Sequence, residues 1–293
     1  MKKFLAMVLA ATMFTCVLTG CQGNPTTSDS SNSSGASAST TSESRLDKIK
    51  ASGKLVMGTS PDFAPSEFID NSSGEAVYVG SDIELGKYIA KSLGVELEVK
   101  AMEFSAIQQA IQSGTIDIGI AGFTYTEKRA EAMDLSDKFN TTTEDGYQGL
   151  LVLKGQGANY NTAESFAGKK IVAQNASIQQ TLVNEQLPSD VKFQPVSAIS
   201  DGVMMVLTGK ADALAVDSDN AKSMLKNYPD AEMAEFQFEY GSEGNVAGIK
   251  KGETELLEAV NAAIAEVNEQ GLYDQWTKEA TELADSLGIQ MGE

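Results

Sequence analysis

The chain has 293 residues, with 22 basic and 41 acidic side chains, a formal net charge of −19 at pH 7, and no histidine. This strong negative charge argues against a nucleic-acid partner and against electrostatic adhesion to anionic lipid, since both carry negative phosphates. Without histidine the chain lacks the commonest general base and the commonest transition-metal ligand. We therefore expect no catalytic residue, no metal and no other cofactor.

Residues 1–20 have the pattern of a secretory signal peptide. Two lysines precede an uncharged, apolar run over 4–17, which is too short to span a bilayer. The run is followed by Leu18-Thr19-Gly20-Cys21, and these four residues resemble the bacterial lipobox. In a lipobox the cysteine becomes the first mature residue and carries lipid, so the resemblance predicts lipidation of Cys21. An ordinary signal peptide with a nearby cysteine is the alternative.

Residues 21–44 are rich in serine, threonine, asparagine and glycine and carry almost no bulky apolar side chain. Such a segment cannot bury enough surface to offset its ordering entropy, so it is predicted to be a flexible tether. A tether of this length reaches roughly 25–30 Å on average, which is enough to hold a domain clear of a membrane. We expect a protein that is anchored by lipid on the extracytoplasmic face of the cell membrane and does not cross it.

Strand and helix patterns alternate through the rest of the chain, and series of apolar residues at helical spacing each end at a glycine. Strands are predicted at 55–58, 95–99, 116–121, 170–173 and 213–216, and helices at 85–93, 104–113, 202–207 and 256–267. Strands that alternate with helices of this length imply βαβ units and mostly parallel sheets flanked by helices. The sequence therefore predicts an α/β fold.

One short pattern occurs twice, which bears on the number of lobes. Ser113-Gly114-Thr115-Ile116-Asp117-Ile118 is similar to Thr208-Gly209-Lys210-Ala211-Asp212-Ala213. Each ends a predicted helix on a hydroxyl residue and a glycine and then enters a strand. Together with the chain length, this repeat predicts two lobes of similar construction. We place the first lobe at 45–148 with 245–293, and the second at 149–244.

Polar side chains follow four of the predicted strands, at the edge where open α/β sheets bind their ligands. These segments are Thr59-Ser60-Pro61-Asp62-Phe63, residues 122–129, Asn175-Ala176-Ser177, and Asp217. They carry hydroxyls, one guanidinium and one carboxylate. An arginine and an acid that face each other across a cleft would suit the carboxylate and the ammonium of a zwitterion.

Arg129 is the most informative of these residues. Thr126 is the predicted N-cap of a short helix, which puts Arg129 in the first turn, where the helix dipole disfavours a cation by about 0.3 kcal/mol or more. Its planar donors fit a carboxylate, and the helix N-terminus adds backbone donors. The alternatives are a solvated surface arginine for Arg129, a helix N-cap for Asp217, and core residues for Phe63 and Phe104.

Five short motifs lie between residues 80 and 138. They are Gly80-x-Asp82, Leu93-Gly94, Ser113-Gly114-x-x-Asp117, Thr124-x-Thr126-x-x-Arg129 and Asp134-Leu135-Ser136. In combination they resemble the polar amino-acid solute-binding proteins of ABC importers, and the likeness extends over essentially 46–280. It implies a periplasmic-binding-protein-like fold of type II, in which two α/β lobes joined by a two-strand hinge close on the ligand.

The resemblance also implies roles for individual residues. The position of Arg129 holds the α-carboxylate of the ligand, and the position of Asp217 takes the α-ammonium. Gly122, Thr124 and Ser177 stand where the family supplies backbone and hydroxyl contacts. The predicted site therefore binds the α-carboxylate and the α-ammonium, the two groups that all α-amino acids share.

The part of the predicted site that would contact the ligand's side chain is less well defined than the part that binds its α-carboxylate and α-ammonium. The resemblance implies that aromatic rings at Phe63 and Phe104 sandwich the ligand's side chain. Ser60 stands where many relatives have an acid, and Gln174 stands where some glutamine-binding relatives carry a lysine. The acidic residues Asp62 and Glu67 near the first loop are compatible with a basic ligand, so glutamine and a basic amino acid are both candidates.

The sequence thus predicts a lipoprotein, expected to be a monomer, that captures a free amino acid and delivers it to the transmembrane permease of an ABC importer. One alternative is an enzyme of the dehydratase or lyase type on the same fold, for which Glu67 or Glu103 would have to act as the acid. The other alternative is a sensor or adhesin lipoprotein with a vestigial cleft.

Overall fold

The computed structural model describes residues 43–140, 146–241 and 244–288. The predicted signal peptide, Cys21 and nearly all of the predicted tether lie outside these ranges. Within them, no helix combines the length and the apolar character that a membrane span requires.

Helices and strands alternate along most of the described chain. The helices are α1 (Arg45–Ser52), α2 (Ser81–Leu93), α3 (Phe104–Ser113), α4 (Glu127–Ala132), α5 (Ile178–Gln186), α6 (Ile199–Leu207), α7 (Ser218–Leu225), α8 (Thr254–Gln270) and α9 (Leu272–Leu287). The strands are β1 (Lys54–Thr59), β2 (Phe68–Asp70), β3 (Val77–Val79), β4 (Glu96–Ala101), β5 (Ile118–Gly119), β6 (Met133–Leu135), β7 (Gln148–Leu153), β8 (Lys170–Gln174), β9 (Lys192–Val196), β10 (Ala213–Asp217), β11 (Ala231–Gln237) and β12 (Gly248–Lys250). Every predicted strand and helix corresponds to one of these elements, although β5 is much shorter than predicted.

The strands form two five-stranded sheets and a small hairpin of β2 and β3. The first sheet has the order β4-β1-β5-β12-β6, and the second has the order β11-β7-β10-β8-β9. Four strands of each sheet run in one direction, whereas β12 and β7 are antiparallel to both of their neighbours. These two reversed strands are the first that the chain forms after it passes from one sheet to the other. Both sheets are therefore mixed, with parallel strands as the majority.

Each sheet is packed by its own helices, so the fold has two lobes. Helices α1, α2, α3 and α8 belong with the first sheet, and α5, α6 and α7 belong with the second. The first lobe has buried cores around Ile89 and Ile107, and the second has cores around Phe166 and Val203. The chain crosses between the lobes after β6 and again after β11. The exact lobe limits given above stay a prediction.

Gly80 joins β3 to α2 in a backbone conformation that a side chain would strain. Its φ is +125°, and a Cβ atom there would lie 2.2 Å from the carbonyl oxygen of Ser66. That carbonyl accepts a hydrogen bond from the Asp82 N–H at 2.9 Å, so it cannot move freely. We expect Gly80→Ala to lower the free energy of unfolding by about 2–3 kcal/mol, as measured by urea denaturation.

Gly53 provides the matched control for this substitution. It also has a positive φ, +71°, but a Cβ atom there would have no neighbour within 4 Å. Gly53→Ala should therefore cost about 1 kcal/mol, the conformational penalty alone. Equal losses in the two variants would contradict a steric role for Gly80.

Candidate functional site

One cavity between the lobes is lined by all nine residues that the sequence singled out for ligand binding. The first lobe contributes Ser60, Phe63, Phe104, Gly122, Thr124 and Arg129, and the second contributes Gln174, Ser177 and Asp217. The cavity has a volume of about 150 Å³, which is enough for one small organic molecule. The residues meet because the carboxyl ends of the parallel strands in both sheets face this space.

Arg129 is buried at the start of α4. The Thr126 hydroxyl accepts a hydrogen bond from the Arg129 N–H at 3.2 Å, which confirms the predicted N-cap. Nη1 of Arg129 donates to the carbonyl oxygen and the hydroxyl of Thr124 at 2.8 and 3.1 Å, and Nη2 donates to the Ala176 carbonyl of the second lobe at 3.3 Å. The side chain is 7% exposed, so the alternative of a solvated surface arginine is wrong.

The Arg129 guanidinium is enclosed by neutral groups. Its carbon lies 5.5 Å from the ring centre of Phe104 and 5.2 Å from that of Phe123. Across the described ranges, no carboxylate comes within 4.0 Å of it. Burial lowers its pKa to about 10, so it still carries its charge at neutral pH. A buried cation without a counter-charge is costly, which makes this position suited to an anionic group of a ligand.

Asp217 lies on the opposite side of the cavity at the end of β10. Its Oδ1 accepts from the backbone N–H groups of Asp219 at 2.9 Å and Asn220 at 3.3 Å, so the residue is the N-cap of α7. Its Oδ2 accepts from the Gln148 side chain at 2.8 Å. Burial raises the pKa of the Asp217 carboxyl. The N-cap alternative is therefore correct, and the same carboxyl also lines the cavity.

Gln148 is a site residue that the sequence analysis missed. It is 6% exposed and lines the cavity. Its Oε1 accepts from Nε2 of Gln179 at 2.7 Å while its amide donates to Asp217, so the two glutamines hold the aspartate in one orientation. One indication was visible in the sequence, because this polar residue directly precedes a run without polar side chains over 149–153.

The two candidate aromatic residues differ in their surroundings. A Cβ atom on Gly122 would lie 3.2 Å from the Phe63 ring, so the ring lies close to the backbone of Gly122. Phe104 is 6% exposed and packs against Phe123 at 4.9 Å between ring centres. Phe104 is therefore a core residue of the first lobe that also borders the cavity.

Ser60 and Gln174 converge on Asp62, a second residue that was not among the site candidates. Ser60 donates its hydroxyl to Oδ1 of Asp62 at 3.0 Å, and Nε2 of Gln174 lies 3.4 Å from both carboxylate oxygens. The N–H of Ile199 donates to Oδ2 at 2.8 Å. Burial raises the pKa of the Asp62 carboxyl. Asp62 thus connects the first lobe to two elements of the second.

Ser177 is the N-cap of α5, and its hydroxyl accepts from the Gln180 N–H at 3.2 Å. The preceding Ala176 adopts a positive φ of 61°, a conformation that favours glycine. The turn directs the Ala176 carbonyl to Arg129.

A buried pair of acids lies beside Gly122. Asp82 accepts from the Tyr273 hydroxyl at 2.6 Å and from the Gly122 N–H at 2.9 Å. Burial and the neighbouring Asp82 raise the pKa of Glu67 well above its usual value. Oδ1 of Asn220 is buried in the same region without a hydrogen-bond partner among the described groups, and Asn220 lines the cavity. This oxygen therefore remains as an acceptor for a ligand in this wall.

A sequence profile described as bacterial extracellular solute-binding proteins, family 3, matches residues 55–280 of the chain. The arginine-binding extracellular protein ArtP of Bacillus subtilis is 27% identical over 95% of this chain and 97% of its own length. The glutamine-binding protein GlnH of an ABC transporter in the same organism is 28% identical, over 95% of this chain and 98% of its own length. Among solved structures, the substrate-binding protein AbpA of an amino acid ABC transporter from Streptococcus pneumoniae, bound to L-arginine, superposes with a TM-score of 0.76. It is 33% identical and covers 83% of this chain and 99% of its own.

Proposed function

Because the chain belongs to the bacterial extracellular solute-binding proteins of family 3, which bind solutes and are not enzymes, we propose that it captures a free L-amino acid between its two lobes. The alternative of a dehydratase or lyase is thereby excluded. We further propose that the loaded protein acts as a monomer and delivers the amino acid to the transmembrane permease of an ABC importer.

The observation that carries this proposal is the pair of oppositely charged, buried groups on the two walls of one cavity. Arg129 of the first lobe has no carboxylate partner within the described residues, and Asp217 of the second has no cationic one. An α-amino acid supplies both missing charges, on two groups bonded to the same carbon atom. Each lobe would then hold one end of the ligand, so binding favours the closed arrangement of the lobes.

The lining of the cavity contains more acidic than basic residues. Asp62, Glu67 and Asp219 line the cavity in addition to Asp217, whereas Arg129 is the one basic residue among the described lining. The buried Oδ1 of Asn220 suits an N–H donor of the ligand, because it has no partner among the described groups. ArtP is named for arginine and AbpA holds arginine, whereas GlnH is named for glutamine. We therefore propose arginine as the first candidate and glutamine as the second.

A thermal-shift screen of the protein against the twenty amino acids tests this proposal. A ligand at a thousand times its Kd stabilises the folded state by about 4 kcal/mol, which for a protein of this size raises Tm by roughly 8–16 °C. We expect L-arginine to give the largest shift. If none of the twenty amino acids raises Tm, the cleft is vestigial and the sensor or adhesin alternative gains support.

We also propose that Cys21 carries the lipid that holds the protein on the extracytoplasmic face of the membrane. The support is the lipobox resemblance of Leu18-Thr19-Gly20-Cys21 and the extracellular character of the family. Cys21→Ser should release the protein from membranes or leave it as an unprocessed precursor, because serine offers no thiol for the thioether. Membrane fractionation followed by immunoblotting measures the outcome.

Cys16→Ser is the control for this test, since it removes the other cysteine of the chain from within the apolar run. It should leave both processing and membrane association intact. Normal processing and unchanged membrane association of Cys21→Ser would refute the lipid anchor.

A further inference from the structure

Helix α6 of the second lobe begins without a cap from its own chain segment. Its N-cap residue is Ala198, which makes no side-chain hydrogen bond to the helix. The neighbouring helices α5 and α7 are capped by the side chains of Ser177 and Asp217. Alanine is a poor N-cap because it has no acceptor for the first N–H groups of a helix, which otherwise have no partner.

The acceptor that α6 lacks comes from the other lobe. Oδ2 of Asp62, in the loop after β1, accepts from the N–H of Ile199, the first residue of α6, at 2.8 Å. The Ser60 hydroxyl holds the other carboxylate oxygen at 3.0 Å. Ile199 is 5% exposed, and this hydrogen bond is partly shielded from solvent. A carboxylate at a helix N-terminus also interacts favourably with the helix dipole.

We propose that Asp62 is the N-cap of α6 supplied across the cleft, and that it stabilises the closed arrangement of the lobes. The contact joins the two lobes and is lost when they separate, so it favours closure whichever amino acid is bound. Asp62 is then a positioning residue, which raises affinity without having to contact the ligand. This part of the inference, on affinity, rests on the proposed function.

The substitution Asp62→Ala tests the inference, with Asp201→Ala as the matched control. Asp201 is an exposed acid in the first turn of the same helix, so the control removes the same charge without removing the bridge. An N-cap contact corresponds to an affinity change of about 2- to 30-fold. We expect Asp62→Ala to weaken the calorimetric Kd by that factor for every amino acid that binds the wild type, and Asp201→Ala to stay within twofold.

Hydrogen exchange at the Ile199 amide separates a cap from a ligand contact. At saturating ligand, this amide should exchange faster in Asp62→Ala than in the wild type or in Asp201→Ala. Unchanged protection of Ile199, or a loss of affinity for L-arginine with none for L-glutamine, would overturn the cap and make Asp62 a contact to the ligand's side chain. Unchanged affinity for all ligands would also overturn the inference.

The same exchange measurement on the ligand-free protein distinguishes this inference from the proposed function. If no amino acid binds the wild type, the proposed function is wrong. The inference that Asp62 caps α6 is then still supported if the Ile199 amide exchanges more slowly in the wild type than in Asp62→Ala. It is overturned if the amide exchanges at the same rate in both proteins.

Discussion

Arg129→Ala is expected to weaken amino-acid binding by about 2–5 kcal/mol, or roughly 30- to several-thousand-fold. The guanidinium is buried and has hydrogen-bond partners that are all neutral among the described groups, so the ligand's carboxylate would be its main counter-charge. Without the arginine, that carboxylate would be desolvated with no compensating cation. Calorimetric titration with the amino acid identified by the thermal-shift screen measures the loss.

Lys128→Ala serves as the control for Arg129→Ala. Lys128 precedes Arg129 in α4 and is exposed, so its removal changes the net charge equally but leaves the cavity intact. We expect its affinity to stay within twofold of the wild type. The ligand-free Tm of Arg129→Ala should change little, because the lost hydrogen bonds are offset by relief of a cation at the positive end of a helix. Binding by Arg129→Ala within threefold of the wild type would refute the carboxylate role.

Asp217→Asn should weaken binding by a similar factor, about 2–5 kcal/mol. Asparagine caps helices as well as aspartate does, so α7 should keep its N-cap and the ligand-free protein should keep its Tm. The substitution therefore removes little except the negative charge, which in our account faces the ligand's α-ammonium. Titration of this variant with the same amino acid checks the expectation.

Asp219→Asn gives the matched control for this second substitution. Asp219 also lines the cavity and lies in the first turn of α7, but it forms an exposed ion pair with Lys222 at 2.7 Å. We expect its loss to change the affinity by less than threefold, since exposed pairs contribute little. If both aspartates had equal effects, the general negative charge of the cavity, and not a specific ammonium contact, would explain the binding.

Local sequence patterns predicted five of the described strands (β1, β4, β5, β8 and β10) and five of the described helices (α2, α3, α4, α6 and α8). They also predicted the two charged residues that we propose as ligand partners. Arg129 and Asp217 could be predicted because each follows a strand whose apolar character is plain in the sequence, and ligand sites lie at that edge of an α/β sheet. The directions of the reversed strands β7 and β12 could not be predicted, because an apolar run is equally compatible with a parallel and an antiparallel strand.

The site residues that were missed depend on contacts between segments distant in the chain. Gln148 orients Asp217 from a neighbouring antiparallel strand, a pairing that periodicity does not reveal. Asp62 meets Ile199 across the cleft, 137 residues along the chain. An aspartate directly after a proline in a loop is more often a turn residue, so its contact with the second lobe became visible only when the two lobes were placed together.

Recognition of the charged groups shared by all α-amino acids is the function that we propose for this cavity. It is tested most directly by calorimetric titration of the wild-type protein with L-arginine, with agmatine, which lacks the α-carboxylate, and with Nα-acetyl-L-arginine, which lacks the α-ammonium. If the screen selects another amino acid, its corresponding analogues replace these three. We predict that the amino acid binds with one site per chain and that both analogues bind at least about 30-fold more weakly. Binding of either analogue within threefold of the parent amino acid would contradict the account.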